Sequence, residues 1–218
     1  MGKKKLVHFQ ENQSFPHLFQ PVYHELGNGF RLKSKWNSDF FKNEHPIILE
    51  LGCGKGEYTV ALAQKYPEQN FIGIDLKGAR LWRGCKTIEE EKIENAAFLR
   101  SRVDHLEKFF GKEEISAIWI TFPDPQPGKE RKRLTSPVFL SKYKNVMKEG
   151  GIIHLKTDDL SFYEYTLEVI ERQNHQLLFA TNDLYNSGFL EEVISIKTYY
   201  ERIWLEKGKK ICYIQFQL

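Results

Sequence analysis

Apolar residues along this chain gather into short runs that alternate with stretches of helical period. Ile47-Ile48-Leu49-Glu50-Leu51 is the first clear run. Its near-continuous hydrophobicity fits a strand buried on both faces. Glu57 to Tyr66 then reads as a helix stopped by Pro67. Phe71-Ile72-Gly73-Ile74-Asp75 is a second strand, and Leu81, Trp82, Cys85 and Ile88 share one face of a following helix. Ala96 to Arg100 is a weaker third strand, and Ile115 to Thr121 a strong fourth. Ser136-Pro137 opens a helix as N-cap and first residue, and Gly150-Gly151 is expected to end it. Ile152 to Lys156 is a fifth strand, Phe162, Thr166, Val169 and Ile170 form a helical stripe, and Gln176 to Thr181 and Ile211 to Phe216 are the sixth and seventh strands.

Strands alternating with helices imply an α/β fold with a largely parallel sheet. Residues 1–45 hold scattered aromatics and turn formers without a long period, so they are expected to be an N-terminal extension packed on a main domain of residues 46–218. In open α/β sheets ligands bind outside the carboxyl ends of the strands, near the point where strand order reverses. The loops after the first five strands are therefore where chemistry is to be sought.

Composition narrows the field only a little. At 218 residues and 41% hydrophobic, the chain suits one sizeable core. No apolar run is long enough to span a bilayer, and the start, Met1-Gly2-Lys3-Lys4-Lys5-Leu6, lacks a signal-peptide core, so a cytoplasmic protein without membrane association is expected. Cys53, Cys85 and Cys212 are widely spaced and form no CxxC pair, which suggests neither disulfides nor a metal site. A net charge of +3 permits a nucleic-acid partner without arguing for one.

The loops are more informative. Glu50-Leu51-Gly52-Cys53-Gly54-Lys55-Gly56 carries GxGxG rather than the GxGxxG of dinucleotide folds. Its carboxylate would repel a pyrophosphate and suit a cationic ligand such as the amino group of S-adenosylmethionine. Asp75 ends the second strand, where an acid accepts hydrogen bonds from ribose hydroxyls, although it could also only cap the next helix. Asp104 follows the third strand. With Glu107 it spells a D-x-x-E capping box, and it could equally border an adenine amino group. The fourth loop, Phe122-Pro123-Asp124-Pro125, restrains an acid between prolines. The cationic stretch Lys129, Arg131, Lys132 and Arg133 follows at once, a combination that suggests a polyanionic substrate. Asp158 either caps the helix near Leu160 or faces the cleft, and Thr198-Tyr199-Tyr200-Glu201 has the spacing of another capping box.

In this order, the E-L-G-C-G loop, the acid after strand two, F-P-D-P with its basic loop, T-D after strand five and T-x-x-E near the end resemble the bacterial tRNA (guanine-N7)-methyltransferases over roughly residues 46–218. The glycine loop is common to many class I methyltransferases, whereas F-P-D-P followed by T-x-x-E is far more specific. The resemblance implies a Rossmann-like class I fold, a seven-stranded mostly parallel sheet with helices on both faces. It implies S-adenosylmethionine as methyl donor and a variable-loop guanine of tRNA, conventional position 46, as acceptor. It places cofactor contacts at Glu50, Gly52, Gly54, Asp75, Asp104 and Asp124, with Asp124 also the catalytic acid. Substrate contacts fall at Lys129, Asp158, Thr198 and Glu201, and the basic residues Arg131, Lys132 and Arg133 extend that surface. The chain departs from the family at Gln126, where Trp is usual, and at Asp75, where Glu is more frequent. Gly128 or Lys129 stands at the family's lysine position. No metal is implied, and the enzyme would be a monomer or a homodimer. The alternatives are a class I methyltransferase acting on another RNA or a small molecule, or a non-catalytic RNA-binding protein. A nicotinamide-dependent dehydrogenase is disfavoured by the missing GxGxxG.

Overall fold

The computed structural model describes residues 3–22, 29–189, 193 and 195–218. Its strands are β1 (Leu18–Phe19), β2 (Ile47–Leu51), β3 (Asn70–Asp75), β4 (Ala96–Arg100), β5 (Ile115–Thr121), β6 (Met147–Thr157), β7 (Gln176–Thr181) and β8 (Cys212–Gln217). They form a single sheet in the order β1-β4-β3-β2-β5-β6-β8-β7. Pairing is parallel from β1 through β6, and β8 runs antiparallel between β6 and β7. The strand order reverses at β2, which lies between β3 and β5. The glycine loop leaves the sheet at that reversal, where a crevice opens between diverging connections.

The helices are α1 (Lys3–Glu11), α2 (Glu57–Lys65), α3 (Gly78–Glu91), α4 (Leu106–Phe109), α5 (Pro137–Lys144), α6 (Leu160–Arg172) and α7 (Tyr199–Glu206). They divide the core in two. On one face α2 and α3 pack Tyr58, Leu62, Leu81 and Cys85 over the sheet around Phe98. On the other, α5 and α6 bring Phe139, Tyr143, Phe162 and Ile170 against Leu49, Ile118 and Ile153. All five residues of β2 are buried, as the apolar run required. Among the described residues no helix is long and apolar enough to cross a membrane.

The sheet has eight strands rather than the expected seven. The extra one comes from the N-terminal segment, where Leu18 and Phe19 pair with Phe98 and Leu99 of β4. The same segment sends Leu32 and Trp36 fully into the core. The Trp36 ring meets Phe19 edge to face at 4.9 Å and stacks on Phe110 at 5.6 Å, and its indole N–H donates to the Phe109 carbonyl. Trp36 opens a short π-helix, Trp36–Phe41, and Phe19 sits in the two-residue β1, elements too short or too unusual in period to read from the sequence. A second correction concerns Gly150-Gly151. The helix expected to end there stops at Lys144, and the chain is already in β6 at Met147. Partner positions jump from Ile115↔Met147 to Ala117↔Ile152, so residues 148–151 bulge from the strand. Gly150 supplies the positive φ of 73° that this bulge needs.

Candidate active site

The loop after β2 turns because its glycines accept left-handed backbone. Gly54 has φ 58°, which aims its N–H at Asp75 Oδ2, 3.0 Å away. Gly56 has φ 73°, and a Cβ there would sit 2.2 Å from the Phe98 ring, so the loop can lie on the sheet only if this residue is glycine. The other Asp75 oxygen accepts from Lys77 N at 2.7 Å. Each oxygen of Asp75 thus takes one backbone donor, which fixes the carboxylate and leaves further lone pairs for the cavity it lines.

Glu50 sits at the same turn but is only 3% exposed. Its Oε2 accepts from the backbone N–H of Thr59 at 2.9 Å and from that residue's hydroxyl, and its Oε1 accepts from the Thr121 hydroxyl at 2.6 Å. The side chain therefore ties β2 to α2 and to β5. Burial pushes its carboxyl up to about 7, against the pull of those three hydrogen bonds. A cation delivered to this spot would return it to the charged form.

Two cavities meet at the strand ends, sharing Gly52, Arg80 and Phe122 in their walls. The larger, about 590 Å³, brings together Asp75, Asp104, Asp124, Arg131 and Lys132. That volume is within the range of small-molecule sites. The smaller, about 80 Å³, is lined by Glu50, Gly54 and Thr198 and by the two tyrosines that follow Thr198. Asp104 lies in a short 3₁₀ turn, Val103–His105, and pairs with the Arg102 guanidinium at 2.8 Å. The capping box read for Asp104 and Glu107 is not formed, because neither the turn nor α4 receives a side-chain cap. Asp124 is exposed in the loop after β5. Its Oδ1 accepts from Gln126 N at 3.1 Å, and the flanking Phe122 and Gln126 both take φ 48°. Two non-glycine residues in left-handed backbone around one acid store strain of the kind found at functional sites.

The basic stretch divides. Lys129, Arg131 and Lys132 are exposed. Arg133 is buried: its Nε donates to the Pro125 carbonyl at 2.9 Å and its guanidinium lies 4.5 Å from the Tyr165 ring centroid and 5.6 Å from that of Phe162. It braces the F-P-D-P loop from beneath and does not stand with the other three cations at the surface. Asp158 does not cap α6. Asp159 does, accepting from Phe162 N at 2.7 Å, while Asp158 pairs with Lys209 at 2.6 Å.

At the start of α7 the capping box is formed. The Thr198 hydroxyl accepts from Glu201 N at 3.2 Å, and Glu201 Oε2 accepts from Thr198 N at 3.3 Å. Glu201 has no exposed surface. Its Oε1 pairs with the Lys156 ammonium at 2.7 Å, also wholly buried, and accepts from the Tyr185 hydroxyl at 2.8 Å. Lys156 Nζ donates further to the carbonyls of Val193 and Ile196 and lies 5.3 Å from the Tyr58 ring centroid. Burial drives the Lys156 ammonium below its ordinary value, opposed by Glu201. The structure thus brings Thr198 to the cavity wall and holds Glu201 behind it. Sequence reasoning missed Lys156 as the partner. The available signal was a lysine in an apolar strand, since a charge taken into a core requires a counter-charge.

Known proteins decide the family. A family model described as a putative methyltransferase matches residues 44–214. A tRNA (guanine-N(7)-)-methyltransferase of Christiangramia forsetii is 52% identical over 221 residues, covering 100% of this chain and 99% of that protein. The chain belongs to the tRNA (guanine-N7)-methyltransferase family. A second family member, from Bacteroides thetaiotaomicron, is 47% identical and covers 100% of this methyltransferase and 87% of its relative. Among solved structures the 16S rRNA methyltransferase KamB superposes with a TM-score of 0.64 at 14% identity, over 85% of this chain and 91% of that one. At that identity the likeness speaks for the class I methyltransferase fold alone.

Proposed function

We propose that this methyltransferase moves a methyl group from S-adenosylmethionine to N7 of a variable-loop guanine in tRNA. The observation that carries the reading is Asp124, an exposed carboxylate strained into place at the end of β5. It shares its cavity with Asp75 on one side and with the cations Arg131 and Lys132 on the other. An acid that opens toward both a nucleoside-sized cavity and a basic loop suits a nucleobase presented on a polyanion.

The larger cavity fits the donor. Asp75 would accept from its ribose hydroxyls, Asp104 would border its adenine, and Glu50, with a lone pair left on Oε1, would face its ammonium from the adjoining smaller cavity, past Gly52. When bound, S-adenosylmethionine supplies an electrophilic methyl on a sulfonium. Guanine N7 carries its lone pair in the ring plane and needs no base to expose it. The protein's task is then orientation and charge stabilisation. Asp124 accepting from the N1–H and N2–H edge would stabilise the positive charge that guanine gains. Thr198 would contact the substrate from the wall of the smaller cavity, and Asp158 would do so once released from Lys209, with Lys129, Arg131 and Lys132 on its phosphates. In this reading Glu201 holds Thr198 in position from within the core.

The test is methyl transfer from labelled S-adenosylmethionine to an unmodified tRNA transcript and to the same transcript with adenosine in place of the variable-loop guanine. Label should enter the first and not the second. Equal labelling of both, or labelling of ribosomal RNA alone, contradicts the proposal.

A further inference from the structure

Tyr199 and Tyr200 open α7 with 48% and 46% of their surface exposed. Both line the smaller cavity, beside Glu50, Phe122 and Thr198. Their backbone is pinned from two directions. Tyr199 N donates to Glu57 Oε2 at 2.8 Å, which ties the helix start to α2, and Glu201 next along the helix is locked to Lys156 of β6. The Lys55 ammonium, from the glycine loop itself, lies 4.2 Å from the Tyr199 ring centroid. The two rings meet edge to face at 5.5 Å with an interplanar angle of 76°. Tyr200 makes no other ring or cation contact among the described residues. Two large rings thus stand on pinned backbone at the cavity wall, each about half exposed.

A carboxylate that reads the N1–H and N2–H edge of guanine needs that base unpaired and out of its stack, and an extruded base regains much of what it loses by lying on an aromatic face. The acids of the larger cavity offer an edge to read, and flat surface at the junction comes from Phe122, which lines both cavities, and from Tyr199 and Tyr200 of the smaller one. We propose that the Tyr199–Tyr200 pair is the stacking wall for the extruded guanine, with Tyr200 contributing the open face and Lys55 fixing the Tyr199 ring behind it. This rests on the tRNA guanine reading above and adds to it the residues that hold the base flat while Asp124 takes its edge. A wall between the glycine loop and Thr198 keeps the base at the mouth of the cofactor crevice, and it tolerates any flat ring. Selectivity for guanine is then left to the carboxylates.

The experiment compares Tyr200→Leu and Tyr200→Phe with the wild-type enzyme on a tRNA transcript, and measures cofactor affinity and Tm for each. Removal of a stacking ring is expected to lower kcat/KM for tRNA by about 5- to 100-fold in Tyr200→Leu. Tyr200→Phe, which keeps the ring, should stay within about twofold of wild type, and cofactor Kd and Tm should be unchanged in both. A transcript carrying 2-aminopurine at the target position gives a direct reading. Its fluorescence, quenched against the ring in the wild-type complex, should brighten in Tyr200→Leu. A leucine variant that matches wild type in kcat/KM and fluorescence overturns the wall, as does a phenylalanine variant as impaired as leucine, since the hydroxyl would then carry the effect. If the wild-type enzyme itself leaves tRNA unmethylated, the proposed function falls and takes the wall with it. If the wild type methylates tRNA and the leucine variant does so equally well, only the wall falls.

Discussion

The loop after β5 and the start of α7 each present a carboxylate, Asp124 and Glu201, and the two are built in opposite ways. Asp124 is exposed, takes one backbone hydrogen bond and sits in strained backbone. Glu201 is wholly buried, faces an ammonium, a tyrosine hydroxyl and a backbone N–H, and sits in relaxed helix. A carboxylate with unused lone pairs can act on a ligand. One that is wholly buried and lines neither of the two cavities holds protein groups in place. Motif spacing cannot separate the two cases, because both acids lie in short signatures of the same family. Exposure and cavity lining separate them at once.

The sharpest way to break this contrast is Glu201→Gln. It leaves the Lys156 ammonium buried without its counter-charge, which costs about 3–5 kcal/mol. Chemical denaturation should show that destabilisation, and Lys156→Met combined with Glu201→Met should recover much of it, because a buried pair replaced by apolar groups is often neutral. A fully stable Glu201→Gln enzyme would mean that the pair is not an anchor. Asp124→Asn comes next. It should lower kcat by about 10²–10³, the scale of removing one electrostatic stabiliser, with Tm unmoved. Asp75→Ala should weaken cofactor binding by roughly 10- to 100-fold, read by calorimetry, the scale of losing the charge-assisted hydrogen bonds proposed for the ribose.

Glu50 gives a pH signature of intermediate size. Its folded-state value of about 7 lies above that of an ordinary glutamate in the unfolded chain. The folded protein therefore holds the proton more tightly, so the group's stabilising contribution is present at low pH and lost as pH rises through about 7. The melting temperature of the cofactor-free protein should fall through this group between about pH 5 and pH 8, and Glu50→Gln should flatten that slope. Cofactor affinity should move the other way, rising up to about tenfold per pH unit until the carboxyl is ionised. The smallest effect belongs to the basic loop. Replacing Lys129, Arg131 and Lys132 with Ala should raise KM for tRNA several-fold and flatten its salt dependence by roughly 0.7–0.9 for each phosphate no longer neutralised. Arg133→Ala should instead lower Tm, since it braces the F-P-D-P loop from within. An effect of Arg133→Ala on the salt slope alone would place it back among the surface cations.

What could be read in advance follows from how local each signal is. β2 and β5 announce themselves as apolar runs, and the glycine loop between β2 and α2 as a turn no other residues would make. β1 could not be found, because two residues have no period and become a strand only against the edge of β4. Gly150 was visible as a breaker, but a helix stop and a strand bulge ask for the same positive φ. Asp158 and Asp159 are adjacent acids before a helix, and the cap falls to whichever one the backbone turns toward Phe162 N. Arg133 was hidden inside a charge run, where composition suggests a solvated face and only packing against Tyr165 and Phe162 reveals a buried one. The Lys156–Glu201 pair joins residues far apart in the chain, so each appeared alone as a stray charge.

The central step of the proposed function is the orientation of guanine by Asp124, so that N7 and no other nitrogen would meet the methyl. Mass spectrometry of nucleosides released from unmodified tRNA after incubation with the enzyme and S-adenosylmethionine reads that outcome directly. N7-methylguanosine should be the product, and it should fall by about 10²–10³ in initial rate with Asp124→Asn. Methylation at N1 or N2, the edge from which Asp124 would accept, or an undiminished N7 product from the Asn variant, would contradict it.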